Sequence, residues 1–291
     1  MAPHPDALDA DWLSACRRMA AGVRDVLAAR GSTAERAVEV GRGEGGDRTL
    51  VIDAEAEAAV FEVLEEMRTG GALFTAISEE RGVVDFGDPA VRVVIDPIDG
   101  SLNAKRGVPH HALSVAVADG PTARDVGFGF VFDLATGEEW AARRGAGAIL
   151  DGRPLDPTAG ERVTTEGRLE ILGVESADPR WIAEAIDPLL DAAHRLRAVG
   201  AIALTLCQVA AARFDGMASL RRCRAVDAAA GQLIVREAGG LVAFPGFEDP
   251  LGAPLDLAPH APVIAARSAA GLERLRAIHG PGGSRLARRS G

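Results

Sequence analysis

Residues 96–101 read Asp-Pro-Ile-Asp-Gly-Ser and follow directly on the apolar run Val91-Arg92-Val93-Val94-Ile95. Two carboxylates three residues apart, fixed by a proline and followed by a glycine and a hydroxyl, suit a metal-assisted phosphate chemistry. A carboxylate is costly to take out of water unless it is paired or coordinates a cation. A buried strand that ends in acids therefore has little structural reason to do so. Other acids stand in comparable places. Glu79 and Glu80 close an apolar run at 73–77, and Asp227 stands where an apolar helical stretch begins. Asp53 opens another helical stretch, with Glu57 one turn later. Asp53 and Asp227 would equally suit helix N-caps, and Glu80 reads as a solvated group or as a support for a ligand. Taken together, acids at strand ends and helix starts, bordered by small residues, could converge on the carboxyl edge of a sheet, where open α/β sheets place ligands. An all-oxygen donor set without His or Cys suits a hard cation such as Mg²⁺.

The elements that must position these residues follow from hydrophobic periodicity. A helix is expected over 8–30, where Leu8, Trp12, Cys16, Met19, Val23 and Leu27 share one face and Gly31 ends the pattern. Residues 41–48 are glycine-rich and charged and read as a mobile loop. A helix at 53–68, strands at 73–77 and 91–95, and meandering strands at 110–118, 125–133 and 138–142 follow, with Asp119-Gly120 and Thr136-Gly137 as turns. The second half alternates strand (169–174), helix (181–190), strand (194–199), helix (202–214), strand (217–220) and helix (228–238), and closes with a strand at 263–266 and a helix at 269–278. Such alternation implies layered α/β packing. The Gly-, Pro- and Asp-rich stretch 145–162 marks a boundary. An α+β part over 1–150 would carry the acidic motifs, an α/β part over 151–279 would supply Asp227 and substrate contacts, and 280–291 would be a disordered basic tail.

The chain has 291 residues, 47% of them apolar, enough for a sizeable core. A net charge of −10 opposes binding to nucleic acid or to an anionic membrane. No apolar run reaches the length of a membrane span, and the acidic start shows no secretory signal. Cys16, Cys207 and Cys223 are too widely spaced for a zinc pattern or a disulfide framework and read as packing residues in a reduced, cytoplasmic compartment.

The stretch Asp96-Pro97-Ile98-Asp99-Gly100-Ser101-Leu102-Asn103 resembles the inositol monophosphatase signature Asp-Pro-Ile/Leu-Asp-Gly-Thr/Ser-x-Asn. Ser78-Glu79-Glu80 resembles the family's Gly-Glu-Glu element. Val226-Asp227-Ala228-Ala229-Ala230-Gly231, with Glu237-Ala238-Gly239-Gly240 after it, resembles its C-terminal motif. Motif order and spacing agree over about 8–278. The resemblance implies a layered αβαβα sugar-phosphatase fold and a Mg²⁺-dependent phosphatase of small phosphate monoesters, in a family where homodimers are common. It implies that Glu79, Asp96 and the Ile98 carbonyl hold one Mg²⁺, that Asp96, Asp99 and Asp227 hold a second, and that a third lies near Glu79. It further implies that Gly100 and Ser101 offer N–H groups to the phosphate, that Asp53, Glu79 and the Ser101 hydroxyl act on the attacking water, and that Gly200, Ala201, Leu220 and Arg224 lie on the substrate side.

The sequence also departs from the family. Val226 replaces the usual tryptophan, and Leu50 stands where the family's loop threonine is expected, with Thr49 one residue earlier. Leu220 replaces the glutamate that grips ring hydroxyls in inositol-specific members, and Arg221, Arg222 and Arg224 follow it. Guanidinium pairs bidentately with phosphate or carboxylate, so a substrate with a second anionic group is expected, unless these arginines are solvated or sit at a subunit contact. Fructose 1,6-bisphosphate, adenosine 3′,5′-bisphosphate and histidinol phosphate are the alternatives to inositol phosphate. A non-catalytic metal- or phosphate-binding regulator is the alternative of a different class, and would be expected to have lost a ligand.

Overall fold

The structure, a computed structural model, describes residues 7–44 and 48–279. The expected basic tail at 280–291 lies outside the described residues, as do 45–47 of the expected loop. The first half runs α1 (Trp12–Ala29), α2 (Thr33–Arg36), β1 (Glu39–Arg42), β2 (Arg48–Leu50), α3 (Val51–Thr69), β3 (Thr75–Ser78), β4 (Gly82–Asp85), β5 (Arg92–Asp99), α4 (Ser101–Arg106), β6 (Ala112–Ala118), β7 (Val126–Asp133), β8 (Glu139–Arg143), β9 (Gly147–Leu150) and β10 (Arg153–Pro154). The second half runs β11 (Leu169–Glu175), α5 (Pro179–Glu184), α6 (Ile186–Ala192), β12 (Ala193–Arg197), α7 (Ile202–Ala210), β13 (Gly216–Ser219), α8 (Ala225–Glu237), β14 (Leu241–Ala243), β15 (Ile264–Ala266) and α9 (Ala269–Arg276).

Strands β3–β10 form an eight-stranded sheet, ordered β10-β9-β8-β7-β6-β5-β3-β4, and β11–β15 a five-stranded one, ordered β12-β11-β13-β15-β14. Strand alternation decides what each face of the large sheet buries. Val93, Ile95, Leu113, Val115 and Val117 pack with α1 and α3, where Trp12 meets Phe74 edge-on at 5.5 Å. Val94, Ala112, Ala116 and Ala118 take the other face, with α7 and α8. Small residues there let α8 come close, and a Cβ added to Gly129 of β7 would stand 2.9 Å from the Ala230 carbonyl oxygen. Beyond the second sheet, α6 and α9 cover Leu169, Val174 and Ile264. The result is the expected αβαβα order, with α7 and α8 as the shared middle layer. Each large apolar side chain buried in it contributes about 1.5–3 kcal/mol.

Several elements differ from the periodicity reading. The first helix starts at Trp12, after a single 3₁₀ turn at Ala7–Asp9, because Asp11 caps it through Ser14 N–H at 3.1 Å. Residues 41, 42 and 48 of the expected loop belong instead to β1 and β2, which pair antiparallel. The helix expected over 181–190 is two helices. Pro188 has no N–H and would crowd the carbonyl four residues back, at Glu184, where α5 ends. Helix α7 stops at Ala210 because Ala212 takes a positive φ of 53° and the N–H groups of Arg213 and Phe214 turn back to the Gln208 carbonyl. The three cysteines are buried and free, as packing residues should be. Among the described residues no helix is long and apolar enough to cross a membrane.

Candidate metal and phosphate site

Pro97 shapes the centre of the site. It cannot donate to the ladder between β5 and β6, and the pairing slips there, from Asp96 opposite Ser114 to Asp99 opposite Ala112. One extra residue on β5 is a bulge. In a regular strand, residues three apart face opposite sides; the bulge restores the parity, and Asp96 and Asp99 line the same cleft. Both are more than nine-tenths buried. Asp96 Oδ1 accepts the Ile98 N–H at 3.0 Å. Asp99 accepts the Ile202 N–H at 3.2 Å and the Ala203 N–H at 2.7 Å, at the start of α7. Burial raises both carboxyl pKa values well above the usual range, and neighbouring carboxylates raise them further: Glu79, Asp99 and Asp227 for Asp96, and chiefly Asp227 for Asp99.

Asp53 and Asp227 enter the same cleft from two helices by one device. Each is the third residue of its helix, and its carboxylate reaches back to the N–H of the residue before the helix. Asp53 accepts from Leu50 at 3.1 Å, and Asp227 from Arg224 at 2.8 Å. This is the returning half of a capping box. Neither acid is the expected N-cap, a position held by Leu50 and Arg224; at the third helical position each still has lone pairs to spare for a ligand. Burial pushes the Asp53 carboxyl up to about 7, against the lowering effect of the Leu50 N–H and with a further raise from Glu80.

The turn after β3 brings in Glu79 and Glu80. It is held from below by Glu57, buried on α3, which accepts the Ser78 hydroxyl and the Arg81 N–H at 3.2 Å. The Thr49 hydroxyl donates to Glu80, so the threonine displaced by one position in sequence still reaches the turn. Glu79 Oε1 lies 2.8 Å from Arg224 Nη1, whose other terminal nitrogen is 3.7 Å from Asp227 Oδ1. Gly100 closes the cleft floor with φ of 86°, and a Cβ there would stand 2.9 Å from the His110 carbonyl oxygen and 3.0 Å from that of Gly200. Its neighbour Ser101 is the first residue of α4, whose opening N–H groups have no acceptor within the helix.

The cleft holds about 170 Å³ and is lined by Asp53, Glu79, Glu80, Asp96, Asp99, Gly100, Ser101, Arg224 and Asp227, with Pro97 and Ile98. That is an order of magnitude more than the ~10–15 Å³ that one water needs. A second cleft shares Asp99 and Asp227 with it and continues past Asn103, Glu175, Ser176 and Gly200. Among the described residues no three acidic, His or Cys side chains already surround a point where a metal ion would sit. The guanidinium of Arg224 reaches both Glu79 and Asp227. The donor chemistry nevertheless fits a hard cation: carboxylates predominate, repel one another and sit where burial disfavours their charge.

Two residues placed on the substrate side do not reach these clefts. Leu220 is a correction: it is buried in the outer core with Leu169, Val174 and Ile264, because it directly follows β13, whose residues pair on both sides. Ala201 is buried at the start of α7, with its Cβ facing Gly100. Gly200 and Arg224 do line clefts. The three arginines separate: Arg221 pairs with Glu184 and covers the Trp181 ring at 4.7 Å, Arg222 is exposed, and Arg224 alone turns inward. Glu175 was missed. It ends strand β11 much as Asp99 ends β5, so the rule that singled out the other acids would have found it.

Residues 10–279 match the inositol monophosphatase family. The fructose-1,6-bisphosphatase/inositol-1-monophosphatase of Methanothermobacter thermautotrophicus is 34% identical over 242 residues, 79% of this chain and 83% of its own. The Nus factor SuhB of Escherichia coli K12 is 34% identical over 210 residues, 71% of this chain and 75% of its own. A crystal structure of an inositol monophosphatase–fructose 1,6-bisphosphatase superposes with a TM-score of 0.78 at 26% identity, over 92% of this chain and 99% of that one.

Proposed function

This chain belongs to the inositol monophosphatase family, a family of metal-dependent phosphatases, and is a phosphoric monoester hydrolase; from that premise we propose that it hydrolyses a small sugar or polyol phosphate with Mg²⁺ in the cleft around Asp96. The convergence of Glu79 from the turn after β3, Asp96 and Asp99 from β5 and Asp227 from α8 supports the reading. The Ile98 carbonyl would join Glu79 and Asp96 around one cation, Asp96, Asp99 and Asp227 would hold a second, and a third would lie near Glu79. Bound there, the cations supply the positive charge that phosphoryl oxygens and a leaving alkoxide need. Asp53, which lines the cleft, and the Ser101 hydroxyl would orient the attacking water, and Glu79 would help take its proton. The N–H groups of Gly100 and Ser101 hold the phosphate.

The second cleft, beyond Asp99 and Asp227, would take the rest of the substrate. Arg224 favours a second reading, a bisphosphate. It is the arginine that lines the acidic cleft, and the Methanothermobacter relative is named for both activities. A compartment kept reduced and a homodimer belong to the same proposal; sedimentation velocity checks the latter. The deciding experiment is phosphate release at fixed Mg²⁺ across inositol 1-phosphate, fructose 1,6-bisphosphate, adenosine 3′,5′-bisphosphate and histidinol phosphate. The highest kcat/KM on a bisphosphate is expected. A large preference for inositol 1-phosphate would overturn the Arg224 reading, and no turnover of any substrate would overturn the assignment of this cleft.

A further inference from the structure

Glu175 is more than nine-tenths buried at the end of β11, yet no chemical step above uses it. Its carboxylate accepts the Thr205 hydroxyl at 2.6 Å and the Gly200 N–H at 3.1 Å. Two donors converging on one buried carboxylate make a site that only an acceptor can fill. The same turn presents its carbonyls the other way. Asn103 Nδ2 donates to Val199 O at 2.8 Å and lies 3.4 Å from Gly200 O. A Cβ on Gly100 would stand 3.0 Å from Gly200 O, and a Cβ on Gly200 would stand 3.0 Å from Asn103 Nδ2. Directly after the turn, Ile202 and Ala203 donate to Asp99. Ser176, next to Glu175, holds a positive φ of 55°, a conformation that surroundings must enforce in a non-glycine residue.

We propose that Glu175 is a positioning residue: it clamps the 199–201 turn, and through that turn it sets Asp99, Gly100 and Asn103 against the second half of the chain. The inference rests on the phosphatase reading of the cleft, but its first readout does not.

The test compares Glu175→Gln with Thr205→Val. The glutamine places an N–H₂ among donors, whereas the valine removes one partner and leaves the Gly200 N–H its acceptor. Mn²⁺ binding, followed by electron paramagnetic resonance without substrate, should weaken in Glu175→Gln, and kcat/KM should fall by about tenfold to a hundredfold, as for a reacting group displaced by up to 1 Å. Thr205→Val should stay close to wild type in both. Unchanged Mn²⁺ affinity in a folded Glu175→Gln, or equal losses in the two variants at equal urea midpoints, would overturn the proposal. If Glu175→Gln does not fold, Asn103→Ala reads the other side of the turn and must show the same Mn²⁺ loss. If the wild type binds Mn²⁺ but hydrolyses no phosphoester, the phosphatase reading fails, while the Mn²⁺ comparison still decides the role of Glu175.

Discussion

Arg224 Nη1 lies 2.8 Å from Glu79 Oε1, so a guanidinium from the C-terminal half stands against an acid that the family resemblance makes a metal ligand. Two unit charges about 4 Å apart exchange about 4 kcal/mol at an effective dielectric of 20. A cation bound at Glu79 would compete with that arginine for the carboxylate. Arg224→Gln should therefore bind Mg²⁺ more tightly, by roughly tenfold if about a third of that energy is recovered. It should also lose kcat/KM on bisphosphates more than on monophosphates. Isothermal titration and the substrate panel measure the two effects separately, and weaker Mg²⁺ binding would contradict that competition.

Asp96→Asn separates catalysis from folding. The substitution removes a charge shared by two of the proposed metal positions, and kcat should fall at least about a thousandfold, the scale of losing one charge-stabilising group in phosphoryl transfer. Burial and three neighbouring acids already disfavour the Asp96 carboxylate. The variant in EDTA should thus be at least as stable as wild type, and Mg²⁺ should no longer raise its urea midpoint. Retained turnover would remove Asp96 from the site.

The same repulsion predicts a pH dependence with a definite sign. Asp53 has a folded pKa of about 7 against an ordinary 3.8, and Asp96 and Asp99 also move upward. The folded state then holds protons more tightly than the unfolded one, so these groups add stability at low pH and lose it as pH rises through the folded value. In EDTA the urea midpoint should climb as pH falls from about 8 to about 5, and saturating Mg²⁺ should flatten the trend. A midpoint in EDTA that drops over this interval would refute the assignment of the shifts.

Gly100→Ala tests the cleft floor. With φ at 86° and two backbone carbonyl oxygens within 3.0 Å of the new Cβ, neither a rotamer nor a side chain can relieve the contact. A loss of about 1–3 kcal/mol is expected, together with reduced activity because the Ser101 N–H moves. Gly137→Ala also carries a positive φ but meets nothing within 4 Å, and provides the control for backbone strain alone. Equal midpoints for the two variants would remove the close approach as a cause.

Much of this was legible in the chain. Alternating apolar residues gave the strands and helices, because burial on one face imposes a period of 2 or 3.6. The acids at element ends marked the cleft, because an unpaired buried carboxylate needs a reason to be there. Periodicity did not reveal that 181–190 breaks at Pro188 or that β1 and β2 pair across an expected loop, since short elements carry too few residues for a period to register.

Residues 96–101 by themselves determined that two acids, a glycine and a hydroxyl stand together at a strand end, because those are local covalent facts. Only the tertiary structure decided that Asp96 and Asp99 face the same way, since that depends on a bulge against β6. It also decided that Leu220 lies in the outer core, that Arg224 alone among its neighbours turns inward, and that Glu175 holds the turn behind Gly100. Each depends on which partner strand or helix lies alongside, and contacts between residues a hundred positions apart leave no period in a sequence.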